Sequence, residues 1–207
     1  MKKITLLLIL IATVNAQNVM GLTISGGLNQ SNQNTEEGTD VIDINYISGY
    51  NFSIEKSFGI ARFGVGLNQR GVKLETDVTG DGSSEGVSVF INSEQTLNYL
   101  SLHAVLYEIQ EKICVFGGVQ LGKGLGGEVK MKMSWTNFGQ DEQLMYRESE
   151  DIDAEDMELE YGLLFGGDYM INEKNGVRAS YYKGLSDIRE DSKTKNNTIS
   201  VSLLFKM

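Results

Sequence analysis

From Met157 to Ile171 the chain alternates with a period of two. Met157, Leu159, Tyr161, Leu163, Phe165, Tyr169 and Ile171 fall on one face with Gly167. Glu158, Glu160, Gly162, Gly166 and Asp168 fall on the other, and only Leu164 and Met170 intrude. A strand sends successive side chains to opposite faces, so such a segment separates two environments. The pattern recurs. Leu22, Ile24 and Leu28 oppose Thr23, Ser25, Gly27 and Asn29; Phe63, Val65 and Leu67 oppose Arg62, Gly64, Gly66, Asn68 and Arg70. Leu100, Leu102, Ala104 and Leu106 oppose Ser101 and His103; Val177, Ala179 and Tyr181 oppose Arg178, Ser180 and Tyr182. Weaker alternation over 43–54 and 112–122, with the closing segment 197–207, brings the expected strands to eight.

The connections alternate as well. Short turns are expected around Glu55-Lys56-Ser57, around Gln110-Glu111, and from Asn172 to Gly176, which contains the turn dipeptide Asn175-Gly176. Long polar connections are expected over 30–42, 75–91, 123–156 and 187–196. Met131, Met133 and Trp135 are expected to carry barrel strands above the membrane. Proline is absent and glycine abundant, which suits long strands that kink at Gly. Short turns at one end, long loops at the other and an even strand count describe an outer-membrane barrel. A soluble eight-stranded carrier keeps its apolar face inside. Here one face is Gly, Ser, Asn and scattered charge, too small and polar for a soluble core, and the other is continuously apolar. The expected fold is therefore all-β: an eight-stranded antiparallel up-and-down transmembrane β-barrel. At about eight strands the interior is filled by side chains, so no wide pore is expected.

The opening MKKITLLLILIATVNAQ reads as a secretory signal peptide over residues 1–16, with the barrel domain over 17–207. Of the 18 Lys and Arg, two lie in that leader, leaving 16 against 28 Asp and Glu. So anionic a chain is not suited to nucleic acid, whose phosphates are neutralised by Lys and Arg. The single cysteine, Cys114, makes no internal disulfide and is expected to fill space on the polar face of its strand. Tyr46, Tyr50, Tyr161, Tyr169 and Tyr181 are expected in the aromatic girdles.

The stretches "FGVGLNQRGVKLE" (63–75), "LNYLSLHAVLYEI" (97–109), "CVFGGVQLGKGL" (114–125) and "ASYYKGLSDI" (179–188) resemble, in order and spacing, the PorT-like β-barrel family of Bacteroidetes. The resemblance spans nearly all of the chain after the leader. It implies a small outer-membrane barrel, with a link to protein secretion in the family's name. The family pattern has Glu at the positions of Gly64 and Ser101 and Pro at that of His103, so no role of those acids carries over. The closing strand, with Phe205 near its end, resembles the signal by which the barrel-assembly machinery recognises its clients.

Arg62, Arg70, Glu158, Glu160, Asp168 and Arg178 all fall on the polar face and are expected to form a polar network in the lumen. Charge removed from water must be paired or hydrogen-bonded. Asp168 and Arg178 flank one short turn, and Arg70 is placed to meet Glu158 or Glu160 toward the outer rim. An ion pathway is the lesser reading. Asp77, Thr79 and Asp81 before Gly82 mimic half of a calcium loop, but its twelfth position is Ser88 where a Glu is expected. An acidic, Gly-rich hairpin tip is the favoured reading. The acidic run 141–160 suits a solvated loop, a divalent cation or a basic partner. Ser101 and His103 share the polar face without a carboxylate on their own strand, and a packed histidine is favoured over a catalytic one.

The expected function is structural or surface-binding, with the external loops as interaction surface, or accessory to envelope assembly or secretion. A lipid-modifying hydrolase or acyltransferase is the alternative from another class, followed by a narrow channel and a soluble secreted carrier. No cofactor is expected. Expected partners are outer-membrane lipid, the barrel-assembly machinery and an extracellular or periplasmic partner; the barrel is expected to be a monomer.

Overall fold

The computed structural model describes residues 21–35, 42–79, 88–136, 143–188 and 194–207. Residues 1–16, expected as a leader, and Asp81 lie outside them. The strands are β1 (Leu22–Thr35), β2 (Ile42–Asn45), β3 (Ile47–Phe58), β4 (Ala61–Thr79), β5 (Ser88–Gln110), β6 (Ile113–Thr136), β7 (Gln143–Ile152), β8 (Leu159–Met170), β9 (Asn175–Gly184) and β10 (Thr194–Lys206). Eight of them close a ring of antiparallel neighbours, β1–β3–β4–β5–β6–β8–β9–β10, and the register from Thr23↔Lys206 to Thr35↔Thr194 seals it. β2 pairs with the outer part of β4, and β7 with the outer part of β6.

Within the ring the outward face is apolar. Leu28, Leu106, Val115, Leu203 and Phe205 all stand exposed, as do the five tyrosines expected in the girdles. Thr23, Ser25, Asn29, Ser31, Gln120, Thr198 and Ser202 point inward and are buried. That arrangement is the reverse of a soluble carrier's. It suits lipid outside and a polar, filled interior.

Three connections differ from expectation. The first short turn is at Gly59 and Ile60, with Gly59 at φ +59, and not at Glu55-Lys56-Ser57. Alternation runs on through β3, with Tyr50, Phe52 and Phe58 exposed and Glu55 buried. The described parts of segments 75–91 and 123–156 are largely strand, because β4, β5 and β6 reach 19, 23 and 24 residues. A membrane strand needs only about 9–11, so these three stand well above the bilayer.

Their polarity inverts there. On β4 the inward face changes from Arg62, Gly64, Gly66, Asn68 and Arg70 to Val72 and Leu74, while the outward face becomes Lys73 and Glu75. On β6 a bulge does the same. Tyr99 pairs with Gly124 but Asn98 with Gly126, which sits at φ +108, a conformation suited to glycine. Past it, Val129, Met131 and Met133 share the inward face with Leu97, and Glu128, Lys130 and Lys132 face outward. The upper sheet is amphipathic in the soluble sense.

An arginine placed at Leu102, which pairs with Val65 and Leu121 on the apolar band, is expected to destabilise the refolded barrel by about 2–4 kcal/mol. The same residue at Thr96, on the outward face above, is expected to change stability by less than about 0.5 kcal/mol. Urea titration in liposomes checks both, and equal costs would contradict the assigned boundary.

Candidate functional site

The lumen holds two separate charge clusters. In the lower one, Glu55 from β3, Arg62 from β4, Asp168 from β8 and Arg178 from β9 meet on the inward face, each under 10 % exposed. Arg62 Nη1 lies 2.8 Å from Asp168 Oδ2 and 3.2 Å from Glu55 Oε2. Arg178 grips Asp168 through Nε at 2.7 Å and Nη2 at 3.0 Å. Its Nη2 donates to Glu55 Oε2 at 2.9 Å, and its Nη1 also donates to Glu55. Two carboxylates face two guanidiniums, so the four residues sum to zero charge. Phe116 lies beneath both guanidiniums at 5.8 and 5.0 Å from its ring centre, and Tyr107 lies 4.9 Å from Arg62. These rings cover one side of each guanidinium and add cation–π attraction.

His103 Nε2 is 3.1 Å from Glu55 Oε1, which also accepts from Ser53 Oγ at 3.0 Å. Space for that contact comes from Gly64. A Cβ there would lie 2.3 Å from His103 Nε2 and 2.8 Å from Glu55 Cγ. Cys114 is buried and accepts from Arg62 Nη2 at 3.5 Å. The carboxylate that meets the imidazole thus comes from β3, across β4 from the histidine's own strand. Ser101 Oγ accepts from Asn68 Nδ2 at 2.7 Å and donates to the Gly66 carbonyl at 3.3 Å. Both Ser101 and His103 face the packed lumen, away from lipid.

The upper cluster pairs Arg70 Nη1 with Glu160 Oε1 at 2.6 Å. Asn196 Nδ2 donates to Glu160 Oε2 at 2.9 Å and to Tyr99 Oη at 3.2 Å. The Arg70 guanidinium lies 3.9 Å from the centre of the Tyr182 ring and 5.2 Å from that of Tyr99. Above it Leu97, Tyr99, Ile152, Met157 and Ile188 form a buried apolar layer with Val129 against it. Between the clusters lies a cavity of about 50 Å³ bordered by Glu55, Arg178, Arg70 and Tyr182. Gln120 Nε2, Tyr182 Oη and Thr198 Oγ1 reach it without a protein partner among the described residues. Such a polar space suits a few ordered waters.

Glu158 is corrected. It is exposed, and Met157 is buried in its stead. The cause is local. A 3-10 turn at Ala154–Asp156 leaves residues 157 and 158 outside β8, so their phase is not that of Leu159–Met170. The other residues expected in the network, Arg62, Arg70, Glu160, Asp168 and Arg178, are buried on the lumen side. Sequence reasoning missed Glu55, Tyr99, Tyr182 and Asn196. Asp77 and Thr79 stand at the end of β4, paired with Phe90 and Ser88, and Asp81 lies outside the described residues.

Replacing Glu55 by Gln leaves two guanidiniums sharing the single carboxylate of Asp168, one buried positive charge uncompensated, and is expected to cost about 3–5 kcal/mol, the scale for breaking a buried pair. Adding Arg62→Met to Glu55→Gln restores neutrality and is expected to recover part of that loss. Heat-modifiable gel migration and urea titration report both; an unchanged midpoint in Glu55→Gln would refute the cluster's weight.

A family model for the outer membrane protein beta-barrel domain matches residues 4–206. No curated protein matches the chain. Among solved structures it is similar to Ail, the attachment invasion locus protein of Yersinia pestis, at 18 % identity over 91 % of this chain and 99 % of that one, with a TM-score of 0.49. It is also similar to Neisserial surface protein A, at 10 % identity, 90 % and 97 % coverage and a TM-score of 0.47. OprG of Pseudomonas aeruginosa follows at 14 %, 91 %, 96 % and 0.40. With the family match running over 4–206 and the ring closed around a polar interior, this chain belongs to the outer membrane protein beta-barrel domain family and resides in the cell outer membrane.

Proposed function

We propose that this barrel is a surface-binding protein, in which the ring is an anchor and the sheet above the bilayer is the working part. One observation carries the reading: the lumen is blocked three times over, by the lower charge cluster, by the Arg70–Glu160 pair and by the apolar layer of Leu97, Tyr99, Ile152, Met157 and Ile188. In the two charged blockades each guanidinium is paired with a carboxylate, and the third is apolar, so none offers an uncompensated charge to a passing ion. Among the described residues, the external sheet of β2, β4, β5, β6 and β7 stays accessible to a partner.

The likeness to PorT-like barrels of Bacteroidetes supports a narrower version, in which the surface partner belongs to envelope assembly or secretion. The sealed β1–β10 seam supports a monomer, because the ring presents no strand edge to the lipid. The same closing strand, with Phe205 exposed on the outward face, suits handling by the barrel-assembly machinery.

Purified, refolded protein in a planar bilayer is expected to give no unitary current. Reproducible ohmic steps would replace the surface-binding reading with the channel alternative.

A further inference from the structure

We propose that β7 takes up an extended, Lys- and Arg-rich segment of a partner protein as an added strand. The proposal rests on reading the external sheet as the working part.

Nine of the ten residues of β7 are exposed, Ile152 alone being buried. Among the described residues β7 pairs with β6 only. Its far edge therefore offers a row of backbone N–H and C=O groups to solvent, the groups that an incoming strand satisfies. The edge is well supported from behind. β6 pairs continuously with β5 from Ser88↔Thr136 down to Gln110↔Ile113, with one shift at Asn98/Tyr99, and β5 with β4 from Thr79↔Ser88 to Ala61↔Leu106. A supported edge loses little freedom on binding. A bulge sets Met133 opposite Tyr146 but Ser134 opposite Leu144, so the regular part of the edge runs from Tyr146 to Ile152.

Charge selects the occupant. Tyr146, Glu148 and Glu150 share the inward face of that edge, and Arg147, Ser149 and Asp151 the outward one. No Lys or Arg occurs from Glu148 to Glu158, a span that also holds Asp151, Asp153, Glu155 and Asp156. Behind it, Lys130 is held by Glu128 at 2.9 Å. Lys123 Nζ donates to the Ala154 and Met157 carbonyls at 3.3 and 2.7 Å. A second copy of this chain, paired edge to edge about Ser149, would set Glu148 opposite Glu150, which is unfavourable, and only Arg147 opposite Asp151 would offset it. A cationic strand reverses the sign. Basic side chains would stand across from Glu148 and Glu150 on one face and Asp151 on the other, while the backbone ladder supplies most of the affinity.

The test uses a fluorescent peptide of alternating Lys and Thr, which favours an extended chain and has no apolar face for micelles. It is titrated by anisotropy against the full refolded barrel in zwitterionic detergent. Saturable binding is expected, weakened about tenfold or more in Glu148→Lys/Glu150→Lys. Binding is expected to be lost when alternate peptide nitrogens are methylated with every charge kept. Equal binding of the methylated peptide would overturn the added strand in favour of diffuse attraction. Unchanged binding by the double variant, or no saturable binding, would overturn the site. Concentration-dependent self-association abolished by Ser149→Pro would assign the edge to a second copy instead. The bilayer record separates the two levels: no binding with a silent bilayer overturns the β7 partner alone, whereas unitary current overturns the reading beneath it.

Discussion

A backbone that crosses hydrocarbon has no water to satisfy its N–H and C=O groups, so every strand in the bilayer must have a partner on both sides. The seam between β1 and β10 meets that demand, and the rest of the interior follows from it. Closing eight strands leaves a space only wide enough for side chains. A strand whose outer face is given to lipid has its inner face left for polar groups, and polar groups in so narrow a space must satisfy one another. The two clusters are the result, each neutral in itself. Glycine sets where they fit: without the room at Gly64, the His103 ring and the Glu55 carboxylate would not share one level of the barrel.

Buried ion pairs are poor sources of net stability, since desolvation offsets much of their attraction. Their value here lies in specifying register. A slip of one residue turns a strand's whole inward set toward lipid. For β4 it would turn Arg62 and Arg70 toward lipid, and for β9 Arg178, at a cost that grows with depth, from about 0–1 kcal/mol near the interfaces toward about 2–4 kcal/mol at the midplane. The arginines therefore penalise wrong pairings more than they favour the right one. Their aromatic neighbours, Phe116 beside Arg62 and Arg178 and Tyr182 beside Arg70, cover one side of each guanidinium and limit water to the small cavity between the clusters.

The ring was legible because its outward residues are apolar over whole strands, as in Leu159–Met170 and the closing segment through Phe205. Legibility failed where the phase or the polarity changed. Glu55 and Lys56 look like turn residues, although Tyr50, Phe52, Ile54 and Phe58 keep the alternation going through them. Glu158 was placed by extending a phase across the 3-10 turn that breaks it. Segments 75–91 and 123–156 read as loops because Lys73, Glu75, Glu128, Lys130 and Lys132 occupy the outward face, where a membrane strand has Leu or Val. Contacts such as Asn196 with Tyr99 and Glu160 join three strands distant in sequence. No local pattern encodes them.

That change of polarity marks the level at which the sheet leaves the lipid, and it alters what the sheet is permitted to do. Below it, a free strand edge is excluded. Above it, water can satisfy an edge, and β6 exchanges one partner for another: β8 pairs with it up to Lys123↔Leu159, and β7 takes over from Gly127↔Ile152. The bulge at Gly126 and the detour over residues 153–158 make that exchange. Among the described residues, β7 and the short β2 are the strands outside the closed ring. An edge as long as β7 ordinarily invites indiscriminate pairing, and charge is a common safeguard. The carboxylates of Glu148 and Glu150 serve that purpose against identical copies, and by the same electrostatics they leave the edge open to a strand of opposite sign.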